Sequence, residues 1–489
     1  MPPLLILILY LSFSIAIVLL IPRNDHQGIR LFSLGSTLIF FAMSIDLLYW
    51  FDTLKEGYLF ECIIPLMPEY DLNLTFGVDG ISLCFLLLTA FIMPICIFAS
   101  KSITTNYKQF IIYLLLIELF LTLTFLTNNL FFFYVFFEAV LIPMFLIIGV
   151  WGSRERKINA AYYFFLYTLF GSFFLLFGIL YLYQLTETFE YSDLLYMILP
   201  EEQQKLLFLF FFIPFAIKVP MFPFHIWLPE AHVEAPTIGS VILASLLLKL
   251  GGYGFLRFTI PLFPAGCIYY SYLVYVLAIV SIIYASLSTI RQSDLKRIIA
   301  YSSVAHMNLV VLGLFSFSHQ GIDGAIYLMI SHGLVSSALF FCIGVVYDRY
   351  HTRLVRHFSG LVQLMPLFCT FFFLFTCANM SFPGTANFVG EFLIFSGFFI
   401  KNDYLVVLAA TSIVLSAVYS IWIYNRIAYG TLKIESENVS NYIDLNREEL
   451  YVLIFLTIGM LVLGVHSGFV TSLTNLPINT ILEVIPPKT

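Results

Sequence analysis

Charge is what this chain has least of. Asp, Glu, Lys and Arg make up 11% of its 489 residues; ordinary soluble domains carry about 25%, so a soluble enzyme is excluded. Its seven cysteines (Cys62, Cys84, Cys96, Cys267, Cys342, Cys369, Cys377) form no C-x-x-C pair and lie mostly in apolar runs. Free buried thiols are expected there, since a metal or iron–sulfur site needs clustered ligands. Neither G-x-G-x-x-G nor G-x-x-x-x-G-K-[ST] occurs, so no nucleotide-binding loop is signalled. The net charge of −6 is spread over loops and offers no basic face to nucleic acid. The first residues, MPPLLILILYLSFSIAIVLLIPR, lack the positive start of a secretory signal and the Arg/Ser-rich character of a transit peptide; they read as a first membrane helix.

Long apolar runs are what the chain does have. It is 61% hydrophobic, with a mean hydropathy of +0.96, and about 20 apolar residues cross a bilayer. Such runs predict an all-α polytopic membrane protein of 14 spans, near 4–21, 31–51, 80–99, 110–127, 129–150, 160–184, 206–228, 237–258, 268–290, 298–316, 323–347, 362–400, 404–427 and 450–470. The twelfth is too long for one simple helix and is broken at NMSFPGTANF, 379–388, around Pro383 and Gly384. The seventh is broken at KVPMFP, 218–223, around Pro220 and Pro223. Interrupted helices at corresponding places in two halves point to inverted repeats. The expected division is 1–109 (helices 1–3), 110–258 (a first five-helix half), 259–430 (a second half) and 431–489 (the C-terminal loop and last helix).

Basic residues divide unevenly between alternate loops. One side collects Arg23, Arg30, Lys101, Lys108, Arg154, Arg156, Lys157, Arg291, Lys296, Arg297, Arg349, Arg353, Arg356, Arg426, Lys433 and Arg447, sixteen in all; the other has five, Lys55, Lys205, Arg257, Lys401 and Lys488. The rule that basic loops stay inside places both termini on the outer-type side. That side also carries acidic loops at 52–79 (Glu56, Glu61, Glu69, Asp71) and 185–205 (Glu187, Glu190, Asp193, Glu201, Glu202).

Two of the 23 basic residues, Lys218 and Lys249, fit neither a loop nor a helix end. A charge at bilayer mid-depth costs about 3 kcal/mol on insertion scales, so it usually marks a pathway or a counter-charge. Carboxylates and histidines occur at similar apparent depth: Asp46, Glu118, Glu138, His306, His332 and Glu391. Amines, imidazoles and carboxylates strung through a bundle are what a proton relay requires, because each can hold and release a proton. The plainer alternative at each position is a buried ion pair or a hydrogen-bonded side chain that only holds helices together, and Asp46 lies close to an interface. His225, Glu230, His232 and Glu234 sit together in FPFHIWLPEAHVEAPT, but their spacing fits no metal-ligand pattern.

The segments FYVFFEAVLIPMFLIIGVWGSRERKINAAYYFFLYTLFGS, FAIKVPMFPFHIWLPEAHVEAPTIGSVILASLLLKLGGYGFLRF, DLKRIIAYSSVAHMNLV and MSFPGTANFVGEFLIF resemble the chain-4 family of NADH:ubiquinone oxidoreductase, respiratory complex I, in its mitochondrially encoded plant and algal form. The likeness runs from about residue 70 to 430. It implies 14 helices with two inverted five-helix units and a hydrated axis of charged residues. By motif match Glu138 and Lys218 look like a coupled pair, Lys249 like the central relay lysine, His306 and His332 like relay histidines, and Glu391 like the terminal group. Glu118 is a further candidate relay carboxylate by its depth in the fourth span, not by motif match. The resemblance also implies proton translocation across the mitochondrial inner membrane, coupled to electron transfer from NADH to ubiquinone. Neighbouring antiporter-like membrane subunits and lipids would be the partners. No cofactor is expected on this chain, with NADH, FMN, iron–sulfur clusters and ubiquinone on other subunits. An organelle-encoded chain would need no targeting sequence. Two rivals stay open at this point: a stand-alone sodium/proton antiporter of the Mrp type and a purely structural membrane subunit.

Overall fold

The computed structural model describes residues 2–67, 72–432 and 443–485. Glu69, Asp71, Lys433 and Lys488, which entered the loop counts, lie outside the described residues. Twelve helices are long and apolar enough to cross a membrane: α1 (Pro3–Leu20), α2 (His26–Tyr49), α3 (Gly80–Phe98, extended to Ser102), α4 (Tyr107–Leu126), α5 (Leu130–Trp151), α6 (Lys157–Thr186), α10 (Thr237–Leu262), α11 (Pro264–Arg291), α12 (Leu295–Leu314), α13 (His319–Tyr350), α16 (Asp403–Ala428) and α17 (Arg447–Val465). The two remaining expected spans are the broken ones. The seventh ends as α8 (Glu201–Lys218) and resumes as the short α9 (Trp227–Glu234). The twelfth is split into α14 (Pro366–Asn379) and α15 (Ala386–Phe399), either side of Pro383-Gly384. Two short helices complete the set, α7 (Tyr191–Tyr196) and α18 (Gly468–Val484).

Polar residues mark where helices start. Asp79 and Ser82 form a capping box at α3, Asp294 caps α12, Ser318 caps α13 and Asn402 caps α16. Each side-chain oxygen accepts from an N–H that has no partner inside the helix. Part of the stretch at 52–79, expected as an acidic loop, is strand. Leu59–Met67 (β1) and Leu72–Val78 (β2) pair antiparallel into a hairpin leading directly into α3.

The chain forms two compact units. Unit 1 comprises residues 1–218, 253–271 and the C-terminal segment from 470; unit 2 comprises 219–252 and 272–469. In unit 1, α6 packs along α8 and α3 along α2 and α4. In unit 2, α13 is the buried centre, packed against α12, α15 and the start of α10. A Cβ on Gly390 would lie 2.8 Å from the backbone N of Leu328, and one on Gly324 2.7 Å from that of Ile394. Glycine is therefore what lets α13 and α15 approach backbone to backbone.

Candidate functional site

In unit 1, Glu138 lies on α5, one turn before Pro143. Proline supplies no N–H for the carbonyl of Ala139, and the helix is interrupted at Val140, as expected of a proline inside a span. Lys218 is the last residue of α8 and is 3% exposed. Its Nζ has no hydrogen-bond partner and stands 4.4 Å over the ring of Phe137, a cation–π arrangement. Glu138 and Lys218 interact electrostatically, with the Ser172 hydroxyl at the Glu138 carboxyl. No direct ion pair joins them. Glu118 on α4 is fully buried with both carboxyl oxygens unpartnered, and Asp46 is exposed in the last turns of α2.

Unit 2 brings four of the expected residues into one row. Lys249, fully buried on α10, follows a π-helical turn at Leu243–Leu247. Its Nζ donates to the carbonyl of Ala244 at 2.5 Å and lies 2.9 Å from Nδ1 of His332 on α13. The His332 and His306 rings are 5.6 Å apart, centroid to centroid. His306, on α12, pairs through Nδ1 with Oε1 of Glu391 on α15 at 3.0 Å. A π-helical turn is a common device at functional sites, because the extra residue opens the backbone ladder. All four side chains are buried in the bundle.

Within unit 2, the broken stretch at 219–223 frees backbone groups, and side chains of the same unit meet them. The Phe222 N–H donates to Ser281 Oγ at 2.8 Å, and Asn308 Nδ2 donates to the Pro220 carbonyl at 3.3 Å. Non-helical backbone at membrane depth needs such partners. At the second break, Asn379 Nδ2 donates to Ser420 Oγ at 3.2 Å. Pro223, Pro383 and Gly384 are exposed, whereas Pro220 is buried.

Three basic residues assigned to loops prove to be buried: Arg257, Lys296 and Arg353. With Lys218 and Lys249 they make five among the described residues, so the two lysines are not alone. The charge count missed them because it registers position along the chain and not what covers a side chain. Arg257 pairs with Asp79 at 2.5 Å, and its guanidinium faces the rings of Tyr58, Tyr191 and Tyr253 at 5.4, 5.7 and 5.5 Å. Arg353 pairs with Asp294 at 3.5 Å and Glu234 at 3.9 Å, and donates to the carbonyl of Val233. Lys296 Nζ donates to the carbonyl of Ala235 at 2.7 Å. These clusters fix the ends of helices. Their signal in the sequence was faint: an acid at a helix cap and an arginine two turns beyond Lys249.

The four-residue group in FPFHIWLPEAHVEAPT is dispersed. His232 stacks on Phe340 at 4.7 Å, His225 packs against Tyr284 at 5.1 Å, and Glu230 pairs with Arg297 at 2.6 Å. Among the described residues no three His, Cys, Asp or Glu gather as metal ligands, and all seven cysteines are free.

Residues 127–416 match the family described as NADH:quinone oxidoreductase/Mrp antiporter, transmembrane. The chain is 52% identical over 451 residues to NADH-ubiquinone oxidoreductase chain 4 of Arabidopsis thaliana, covering 92% of this chain and 91% of that one. Among solved structures it is similar to a chain of respiratory complex I from Thermus thermophilus with bound NADH, at 29% identity and a TM-score of 0.89, covering 99% of this chain and 100% of that one. A chain of the Mrp complex from Dietzia sp. shares the fold at a TM-score of 0.83 and 19% identity, covering 99% of this chain and 52% of that one. Identity over nearly the full length separates the two likenesses where fold alone does not, and the chain belongs to the NADH:quinone oxidoreductase/Mrp antiporter membrane family, within it to the NADH-ubiquinone oxidoreductase chain 4 branch.

Proposed function

We propose that this chain is a proton-translocating subunit of the membrane arm of mitochondrial complex I, a multi-pass protein of the inner membrane. It acts as part of an H+-translocating NADH:ubiquinone reductase alongside other membrane-arm subunits, with NADH, FMN, iron–sulfur clusters and ubiquinone bound elsewhere in the assembly. The observation that carries the reading is the row Lys249–His332–His306–Glu391: two hydrogen-bond-length contacts, at 2.9 and 3.0 Å, flank one histidine pair. A lysine, two imidazoles and a carboxylate in contact can pass a proton end to end, each group taking one as it gives one up. The step between the two rings, whose centroids are 5.6 Å apart, needs ring rotation or a bridging water.

Glu138 and Lys218 supply the input. A change arriving from neighbouring subunits alters the attraction between carboxylate and ammonium, and the Lys218 proton is handed on to Lys249. Two inverted five-helix halves, each with one broken helix, fit the breaks at 218–223 and 379–388. The sixteen-charge side then faces the matrix, and both termini face the intermembrane space.

Replacing Lys218 with Met in the assembled enzyme removes the proton carrier and keeps the side chain's bulk. The protons pumped per NADH oxidised should fall; an unchanged ratio sinks the role. Neutral substitutions of Glu138 and Lys249 decide against a purely structural subunit if the complex assembles but pumps less per electron. An ion gradient formed in vesicles without NADH would instead favour a stand-alone antiporter.

A further inference from the structure

Glu190 belongs by position to the acidic loop at 185–205, and the relay gives it no role. In unit 1 its half-buried carboxylate is tied to the start of α5. Oε2 accepts from the Thr75 hydroxyl of β2 at 2.7 Å, and Oε1 accepts from Nδ2 of Asn129 at 3.1 Å. Asn129 is fully buried and caps α5: its Oδ1 accepts from the N–H groups of Phe131 at 3.1 Å and Phe132 at 3.3 Å. The backbone beside it is pinned on both flanks. The Asn128 N–H donates to the Thr75 carbonyl at 3.0 Å, the Leu130 N–H to that of Phe189 at 2.9 Å, and the Tyr191 N–H to that of Asn128 at 3.0 Å. Isolated bridges join Thr127 to Phe76 of β2 and Asn129 to Glu190.

An asparagine can cap a helix in only one of its two amide orientations. With Oδ1 toward the helix it meets N–H groups that have no partner inside the first turn; turned over, its NH2 would face them donor to donor. An ionised carboxylate accepts and never donates, so Glu190 at Nδ2 fixes the orientation through a charge-assisted hydrogen bond. The Thr75 hydroxyl holds the other carboxylate oxygen in place. The helix so capped is short, ten residues from Leu130 to Ala139 before the interruption at Val140, and a helix of that length depends on how its ends are held. Phe137 and Glu138 stand in its last turn, about 12 Å along the axis from Leu130, and the Phe137 ring carries Lys218 Nζ at 4.4 Å. A change at the cap therefore moves both groups that face Lys218. We propose that Glu190 is a positioning residue for proton input: by holding the Asn129 amide in its capping orientation, it sets where Phe137 and Glu138 meet Lys218. The inference rests on the reading of Glu138 and Lys218 as the input.

The test uses the assembled complex, with protons pumped per NADH measured on the enzyme that assembles. Glu190→Ala takes the acceptor from Asn129. Pumping per NADH should fall at least about twofold and amide exchange at Phe131 and Phe132 should quicken, while NADH oxidation by a soluble electron acceptor stays intact. Asn129→Asp sets two carboxylates side by side and should cost at least as much. Adding Glu190→Gln to Asn129→Asp turns the pair round: the new carboxylate caps α5, the new amide donates to it and still accepts from Thr75. Most of the lost pumping should return. A role confined to holding the fold predicts less assembled enzyme with a normal proton ratio, and that result overturns the proposal. So does a double variant no better than Asn129→Asp alone. Should neither single variant assemble, the double variant must recover both assembly and pumping, and its failure overturns the proposal. Full pumping in Glu190→Ala when Lys218→Met pumps less removes the positioning role and leaves the input pair standing. Full pumping in Lys218→Met removes the input reading, and the positioning role with it.

Discussion

Asp79 and Arg257 show how much one buried pair can hold in this protein. Burial alone would raise the Asp79 carboxyl, but the Arg257 guanidinium and the hydrogen bonds from Ser82 outweigh it and hold the group below its ordinary value. The folded group therefore keeps its charge to lower pH than a free Asp. Its contribution is fully present above about pH 4, the ordinary Asp range, and is lost as pH falls through the depressed folded value. Asp79→Asn leaves the Arg257 charge buried among three tyrosines without its counter-ion. Removing one partner of such a pair typically costs about 3–5 kcal/mol, so a lower melting temperature is expected for the assembled complex. Arg257→Leu in the same chain should recover part of the loss. Pepsin cleavage of the β1–β2 hairpin should rise below about pH 4 in the native chain; Asp79→Asn should be cleaved readily at every pH and show no such rise.

At the scale of elements, the site depends on helices that are interrupted or unusually close. Glu138 precedes the Pro143 kink, Lys218 stands where α8 stops, and Lys249 follows a π-helical turn. In each case a disturbed backbone ladder lies beside an ionisable side chain, where freed carbonyls can take up a proton donor, as Ala244 does for Lys249. Glu391 depends on a different device, the glycine-permitted approach of α15 to α13. Gly390→Val would put branched carbon where even a Cβ meets the Leu328 backbone at 2.8 Å. α15 must then move outward and carry Glu391 away from His306. Proton pumping should drop severalfold while the NADH-oxidising flavin chemistry, measured with a soluble electron acceptor, stays intact; full pumping would show that the 3.0 Å contact is not needed.

For the whole molecule, the uneven loop charge makes a prediction about orientation. Lys55 is exposed in the five-charge set, and Arg154 and Arg156 are exposed in the sixteen-charge set. In mitochondria stripped of their outer membrane, trypsin should cut after Lys55 first. Cleavage after Arg154 and Arg156 should appear only once the inner membrane is opened, and the reverse order would invert the topology. The same count illustrates the limit of position along the chain. Arg257, Lys296 and Arg353 fall where loops or helix ends were expected, yet each is buried and paired.

Composition and the lengths of apolar runs by themselves determined the number of spans, the two breaks and the short set of membrane-depth ionisable residues. A bilayer forces each span to satisfy its own backbone and makes every uncompensated charge costly, so both leave a linear trace. The β1–β2 hairpin left little, because its alternation is short and lies in an acidic loop. Which residues meet was decided only by tertiary structure. Lys249 and His332 are 83 residues apart, and His306 and Glu391 are 85 apart; contact between them depends on the packing of α10, α12, α13 and α15. A small space beside Glu391 is the extreme case: Ser286, Ser412 and Ser416 look like ordinary small residues of apolar helices, and only the packing of α11, α12, α15 and α16 brings them around it.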